Sequence, residues 1–392
     1  MDKSAMRAAA QRLLEDSLRF WLERMTDNRN GGFYGRIDGN GILHPDAPKG
    51  AVLNARILWS FSAAYRATRN PQYLEAAARA EHYLLEKFCD HDFGGVYWSL
   101  TADGKPLDTR KQIYALGFAV YGLSEYALAT GDTRAEEAAV KLFDDIEQHS
   151  FDSQQNGYLE AFTRQWNPID DMRLSEKDAN ECKTMNTHLH IIEPYTNLYR
   201  LRRDERLRER LVNLLHIFSE RIFDPRNGHL GLFFDEQWRQ AERGISYGHD
   251  IEASWLLLET ALEIGDEKLT ESVKQLCSTI ARAAGEGLRP DGSMIYERHA
   301  DGTTDEERHW WVQAENTVGQ LWLHRYHNDQ EAARRAAESL DYITRQIAVA
   351  DGEWLWGRHA DGQPDTENDL AGFWKCPYHN TRMCLEIMRL TE

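Results

Sequence analysis

Long stretches of the chain carry apolar residues at i, i+3, i+4 and i+7, the spacing of helices with one buried face. Each stretch is broken near its middle by a turn signal: Arg69-Asn70-Pro71, Gly131-Asp132, Arg203-Asp204, Gly265-Asp266 and Asn328-Asp329. Each stretch therefore predicts two helices. The segments between them resemble one another: NGGFYGRIDGNG, FGGVYWSLTADG, NGYLEAF, NGHLGLFF, DGSMIYERHADG and DGEWLWGRHADG. Anchored on Gly32, Gly95, Gly157, Gly228, Gly292 and Gly352, they are spaced by 63, 62, 71, 64 and 60 residues, which marks an internal repeat. Several alternate aromatic and polar residues up to an Asp-Gly or Asn-Gly pair, the chemistry of a short β-hairpin.

Five intervals give ten helices. A leading segment from about Ala5 to Met25 and a trailing one from about Gly372 to Leu390 supply two more. Six helix pairs that each expose an apolar face bury it by closing into a ring. The expected fold is all-α, an (α/α)6 barrel of six inner and six outer helices with short β-hairpins in the connecting loops, forming a single catalytic domain over residues 1–392. A linear solenoid would need polar capping repeats at both ends. Here the odd helices at the two termini read as two halves of one pair, which favours closure. The first helix of each interval is expected to be the inner one, because there polar and aromatic residues interrupt an otherwise apolar pattern.

Composition narrows the function classes. With 42% hydrophobic residues and twelve tryptophans the chain can fill a large core. Lys+Arg 46 against Asp+Glu 64 leaves a net charge of -18 and no basic patch, so neither nucleic acid nor an anionic membrane is an expected partner. The N-terminal segment lacks the apolar core of a signal peptide and no eighteen-residue apolar run occurs, so export and membrane insertion are not expected. Five scattered cysteines without a C-x-x-C pair argue against a zinc or redox site and suit a reducing cytoplasm.

Candidate chemistry sits at the starts of the inner helices. His249 and Glu252 are i and i+3 on one face, and a carboxylate beside an imidazole orients it and raises its basicity, giving a proton-transfer pair; a surface pair is the plainer alternative. Asn186, His190, Glu193 and Asn197 form a polar stripe that makes His190 the lumen-facing histidine. His188, two residues away, points elsewhere and reads as a packed structural residue, so the pair is no metal grip. Pro194 should kink this helix. His379 follows Pro377 early in the last inner helix and could face His249 across the lumen, or merely hydrogen-bond there. Arg56 is a lone charge in an apolar helix, either an oxyanion stabiliser or half of a buried ion pair. Trp311, one turn before Glu315, and Trp374 offer indole faces suited to a sugar.

Taken together, Asn54-Ala55-Arg56-Ile57-Leu58-Trp59, Lys111-Gln112-Ile113-Tyr114-Ala115, Asn186-Thr187-His188-Leu189-His190, Gly248-His249-Asp250-Ile251-Glu252, Trp310-Trp311-Val312-Gln313-Ala314-Glu315 and Trp374-Lys375-Cys376-Pro377-Tyr378-His379-Asn380 resemble the N-acylglucosamine 2-epimerase superfamily, most closely its cellobiose 2-epimerase branch. The resemblance implies an (α/α)6 barrel and inversion at C2 of a reducing-end sugar through a cis-enediolate, without metal or redox cofactor. It implies His249 and His379 as the two acid/base groups, Glu252 as support for His249, His190 in ring opening and proton shuttling, and Arg56 on the enediolate oxygens. Tyr114, Asp178, Asn186, Glu297, Trp311 and Trp374 would line the sugar site. Phe373 and Pro194 depart from the branch's usual phrases, both next to the site. The rivals are a mannose/glucose 2-epimerase or mannose isomerase on free monosaccharides, a glycoside hydrolase with Asp178 and Glu297 flanking the bond, and a non-catalytic carbohydrate-binding toroid.

Overall fold

The computed structural model describes residues 2–241, 243–348 and 352–392; Asp351, which opens the sixth glycine-rich segment, lies outside the described residues. The turn signals do their work by local backbone chemistry. Arg69, Gly131, Arg203, Gly265 and Asn328 take positive φ (60, 76, 28, 77 and 55°) and so stop a helix. The residues that follow, Asn70, Asp132, Asp204, Asp266 and Asp329, turn a side-chain oxygen onto a backbone N–H in the first turn of the next helix. Each signal thus ends one helix and begins another within two residues.

The described residues form α1 (Lys3–Phe20), α2 (Ala51–Thr68), α3 (Pro71–Tyr83), α4 (Ile113–Thr130), α5 (Thr133–His149), α6 (Met185–Arg202), α7 (Glu205–Ile217), α8 (Tyr247–Ile264), α9 (Glu267–Ala284), α10 (Trp310–His327), α11 (Gln330–Tyr342) and α12 (Tyr378–Leu390). The even-numbered helices pack each against the next, and α12 returns to α2, so the ring is closed. The odd-numbered helices lie outside, with α1 on α12 completing the sixth pair from opposite ends of the chain. This is an (α/α)6 barrel, and the first helix of each interval is the inner one. α4 is buried without a break from Ile113 to Ala127, whereas outer α5 buries only a stripe containing Ala135, Ala139, Leu142, Phe143 and Ile146. The trailing helix starts at Tyr378 rather than near Gly372, because Pro377 stands at its N-cap and Gly372 N–H bonds back to Lys375 O in a turn.

An antiparallel bridge marks each glycine-rich segment: Thr26 with Phe33, Cys89 with Val96, Phe151 with Tyr158, Phe223 with Leu230, Leu288 with Met294 and Ala348 with Trp354. The strands leading into α2, α4, α6, α8 and α10 each pair with the following repeat, as Lys111–Gln112 does with Ala161–Phe162. A bridge from Ile37 to Ala371 joins the first repeat to the last. In four repeats a buried lysine or its equivalent ahead of the inner helix reaches an acid of the hairpin: Lys49 to Asp27 at 2.8 Å, Lys111 to Asp90 at 2.9 Å, Lys183 to Asp152 at 2.8 Å and Lys375 to Glu353 at 2.7 Å. Losing the acid of a pair would leave a buried lysine charge without its carboxylate, so these pairs tie the loops to the barrel rim.

Candidate active site

α8 begins immediately after Ile245–Ser246, which places Ser246 one turn ahead of His249. Ser246 Oγ lies 2.7 Å from His249 Nδ1, and the imidazole packs on Trp311 with ring centres 4.7 Å apart. Gly248 makes that approach possible, since a Cβ there would lie 2.6 Å from the Trp311 ring. His379, early in α12, lies 5.8 Å from the same indole, and its Nδ1 is 2.7 Å from Glu315 Oε1. The two imidazoles therefore share one tryptophan. Each is tied at Nδ1, and neither has a protein hydrogen bond at Nε2 among the described residues.

The expected pairing of His249 with Glu252 is not made. Glu252 Oε1 bonds to Arg382, its Oε2 has no partner, and Ser246 takes the His249 nitrogen instead. The reason lies deeper in the barrel, where Arg382 draws Glu193, Glu252 and Glu315 onto one guanidinium. Ligand atoms of Glu252, Glu315 and His379 fall within 4.8 Å of one another, near enough to hold a metal ion. Arg382 bonds two of those three residues and so supplies their positive charge itself.

His190 owes its position to Pro194. Proline has no N–H to offer the His190 carbonyl and its ring crowds that oxygen, so the break falls at His190 (φ -92°, ψ 15°), a turn before the proline. Gly117 packs on the freed carbonyl, which would lie 2.4 Å from a Cβ at that position. His190 Nδ1 is 3.0 Å from Glu193 Oε2, and its ring meets Tyr114 at 5.1 Å. His188 is the packed residue expected: its Nδ1 is 2.7 Å from Thr184 O, and its Nε2 accepts the Tyr158 N–H at 3.0 Å.

Arg56 is buried and has no carboxylate partner among the described residues. Its Nη2 donates to Tyr114 Oη at 2.7 Å, and its guanidinium packs on Phe118 and Tyr378 at 4.1 and 4.8 Å. Trp374 continues the aromatic wall, 6.1 Å from Tyr114 and 5.8 Å from Trp98, while Phe373 packs over Gly50 and on Trp98 at 4.8 Å. Asp178, Asn186 and Glu297 line a cleft of ≈ 920 Å³ together with His249, which belongs to both the cleft and the aromatic cluster. Burial raises the carboxyl pKa of both Asp178 and Glu297.

Burial, reinforced by His190 and Arg56, lowers His249 to about 3. Burial and then Arg56 and Arg382 push His379 well below its ordinary value, and burial also lowers His190. All three imidazoles are accordingly neutral near pH 7. Burial and the neighbouring Glu315 raise Glu252 to about 8, whereas Arg382 and His190 overcome burial to hold Glu193 at about 2.

Sequence reasoning gave Arg382, Tyr378 and Ser246 no role. Arg382 carried a signal like that used for Arg56, a cation among apolar residues in the first half of an inner helix, three residues beyond His379. Ser246 stands at the N-cap, where a hydroxyl one turn ahead of a histidine is within its reach.

A closed ring of helix pairs with three neutral histidines and an unpaired arginine in its interior is a frame for acid/base chemistry on a polar substrate. The N-acylglucosamine 2-epimerase (GlcNAc 2-epimerase) family model matches residues 32–382, and the chain belongs to that family. It is 54% identical over 390 residues to the cellobiose 2-epimerase of Bacteroides fragilis, covering 99% of this chain and 100% of the relative, and 37% identical to that of Ruminococcus albus, covering 96% and 97%. The solved structure of cellobiose 2-epimerase from Bacillus thermoamylovorans superposes with a TM-score of 0.94 at 39% identity, covering 98% of this chain and 99% of that one.

Proposed function

We infer that the protein is a carbohydrate 2-epimerase, an isomerase that interconverts the glucose and mannose configurations at the reducing-end C2 of a β-1,4-linked disaccharide such as cellobiose. The observation that carries the reading is the pair of imidazoles on one indole, each held at Nδ1 with Nε2 unpaired among the described residues. His190 gives a proton to O5 and takes one from O1, opening the ring to the aldehyde. One of His249 and His379 then removes the C2 proton. The electron pair moves into the C1–C2 bond and onto O1, and Arg56 stabilises the enediolate so formed, on the order of 3 kcal/mol for a single well-placed donor. The first imidazolium releases its proton to solvent, the other imidazole takes one from solvent, and its conjugate acid delivers that proton to the opposite face of C2; ring closure reverses the first step.

Depressed basicity suits both halves of this cycle. Each histidine starts neutral and able to accept, and the imidazolium formed on either one is a strong acid that readily releases its proton, to solvent on the abstracting side and to C2 on the other. Glu315 supports the imidazolium of His379. Tyr114, Trp311 and Trp374 would pack on the reacting sugar, while Asp178, Asn186 and Glu297 would bind hydroxyls along the cleft. Glu252 serves through Arg382 rather than through His249. The reading takes residues 1–392 as one catalytic domain working in the cytoplasm on a small sugar without metal or redox cofactor. Among the described residues, no helix is long and apolar enough to cross a membrane.

Incubation with cellobiose, glucose and mannose separately, with EDTA present, tests the assignment. Formation of the C2 epimer of cellobiose supports it. Glucose release from cellobiose, a ketose as main product, or turnover of the monosaccharides alone would each contradict it in favour of a hydrolase, an isomerase or a monosaccharide epimerase.

A further inference from the structure

Three of the hairpins dock on the barrel by one device. The fourth residue of α6, α8 and α10 accepts the backbone N–H at a hairpin bridge: His188 Nε2 from Tyr158 at 3.0 Å, Asp250 Oδ1 from Leu230 at 3.0 Å and Gln313 Oε1 from Met294 at 2.9 Å. The latch on α8 differs in two respects. Asp250 is the residue next to His249, and its second oxygen lies 2.6 Å from Nδ1 of His229, with both side chains buried. Ile245 stands where Lys49, Lys111 and Lys183 stand two residues ahead of their own inner helices. The hairpin acid Asp224 pairs outward with Arg226 instead. In this repeat the ionic anchor has moved from the strand onto the helix that carries the histidine.

We propose that His229 and Asp250 are positioning residues for His249, fixing the first turn of α8 at two points so that the imidazole presents Nε2 to C2. The proposal rests on the reading of His249 as a proton-transfer group. His249 and Asp250 share a peptide bond, so any swing of that turn moves the imidazole, and a misplacement of about 1 Å costs roughly 100-fold in rate. The charges facing His229 fit a fixed element: Asp250 holds Nδ1, Glu286 lies 3.6 Å from Nε2, and Arg298 is 3.4 Å from Glu286. Burial opposes protonation of His229, but Asp250 and Glu286 outweigh it and raise its pKa.

The test compares H229L, which removes the bond, with H229N, which returns a donor near the Nδ1 position, using cellobiose and its C2 epimer as substrates in H2O and D2O. H229L should lower kcat for inversion by on the order of 10- to 100-fold with KM little changed and helical circular dichroism intact. H229N should recover most of that loss. From one of the two epimers, C2 hydrogen should still exchange with solvent through His379 after inversion has slowed, an asymmetry that general loosening would not produce. Wild-type kcat in H229L, a defect in KM alone, an H229N as poor as H229L, or an unfolded H229L would each overturn the proposal, the last by making the pair a matter of stability. A wild-type protein inactive on both epimers would instead overturn the functional reading beneath it.

Discussion

Arg56 and Arg382 both pack on the ring of Tyr378, at 4.8 and 4.4 Å, and both are buried, yet their surroundings are opposite. Arg382 has three carboxylates; Arg56 has a tyrosine hydroxyl, a cysteine sulfur at 3.9 Å and aromatic faces. A buried cation bonded to glutamates, one of them held firmly ionised, belongs to the scaffold, because its charge is already answered. One held by aromatic faces keeps its charge for something that arrives later. The difference separates the region that builds the barrel floor from the region that meets developing negative charge.

Breaking the first region should have the largest effect on stability. R382M leaves the Glu193 carboxylate uncompensated and takes the donor from Glu252 and Glu315, and should destabilise the fold by about 3–5 kcal/mol in urea unfolding. R56M should lower kcat/KM by on the order of 100-fold, equivalent to about 3 kcal/mol, while costing stability no more than about 1.5 kcal/mol for its lost hydrogen bond. Equal stability losses in the two variants would erase the distinction.

A pH experiment sharpens it next. The unfolded chain binds a proton at the ordinary histidine pKa of 6.5, but folded His249 resists protonation down to about 3, so the folded state is penalised as pH falls through that window. H249Q removes one such group and should flatten the slope of unfolding free energy between pH 6 and 4 by about 1.4 kcal/mol per pH unit. An unchanged slope would mean that His249 is not held neutral. The smallest effect is expected outside the reacting cluster, where H188Q should cost about 1 kcal/mol through its hydrogen bonds and leave kcat unchanged.

What was legible in the sequence was local. The glycine spacing and each left-handed residue followed by an Asp or Asn act within a few positions, so twelve helices and their inner or outer placement followed from the pattern. His190 was readable as an inward-facing residue for the same reason, and His188 as a packed one. The ion pairs were not: Arg382 meets Glu193 across 189 residues and Glu252 across 130, and nothing in either neighbourhood names the other. Helical spacing put Glu252 beside His249, but it could not weigh the competing pull of a distant guanidinium. Pro194 announced a kink, while its consequence, a reoriented His190, needed the packing of Gly117 from another helix.

The most direct measurement is NMR of cellobiose incubated with the enzyme in D2O. The two-imidazole account predicts the C2 epimer carrying one deuterium at C2, with formation lost in H249A and in H379A while helix content is retained. An epimer that keeps its original hydrogen at C2, or full activity in either single variant, would contradict it.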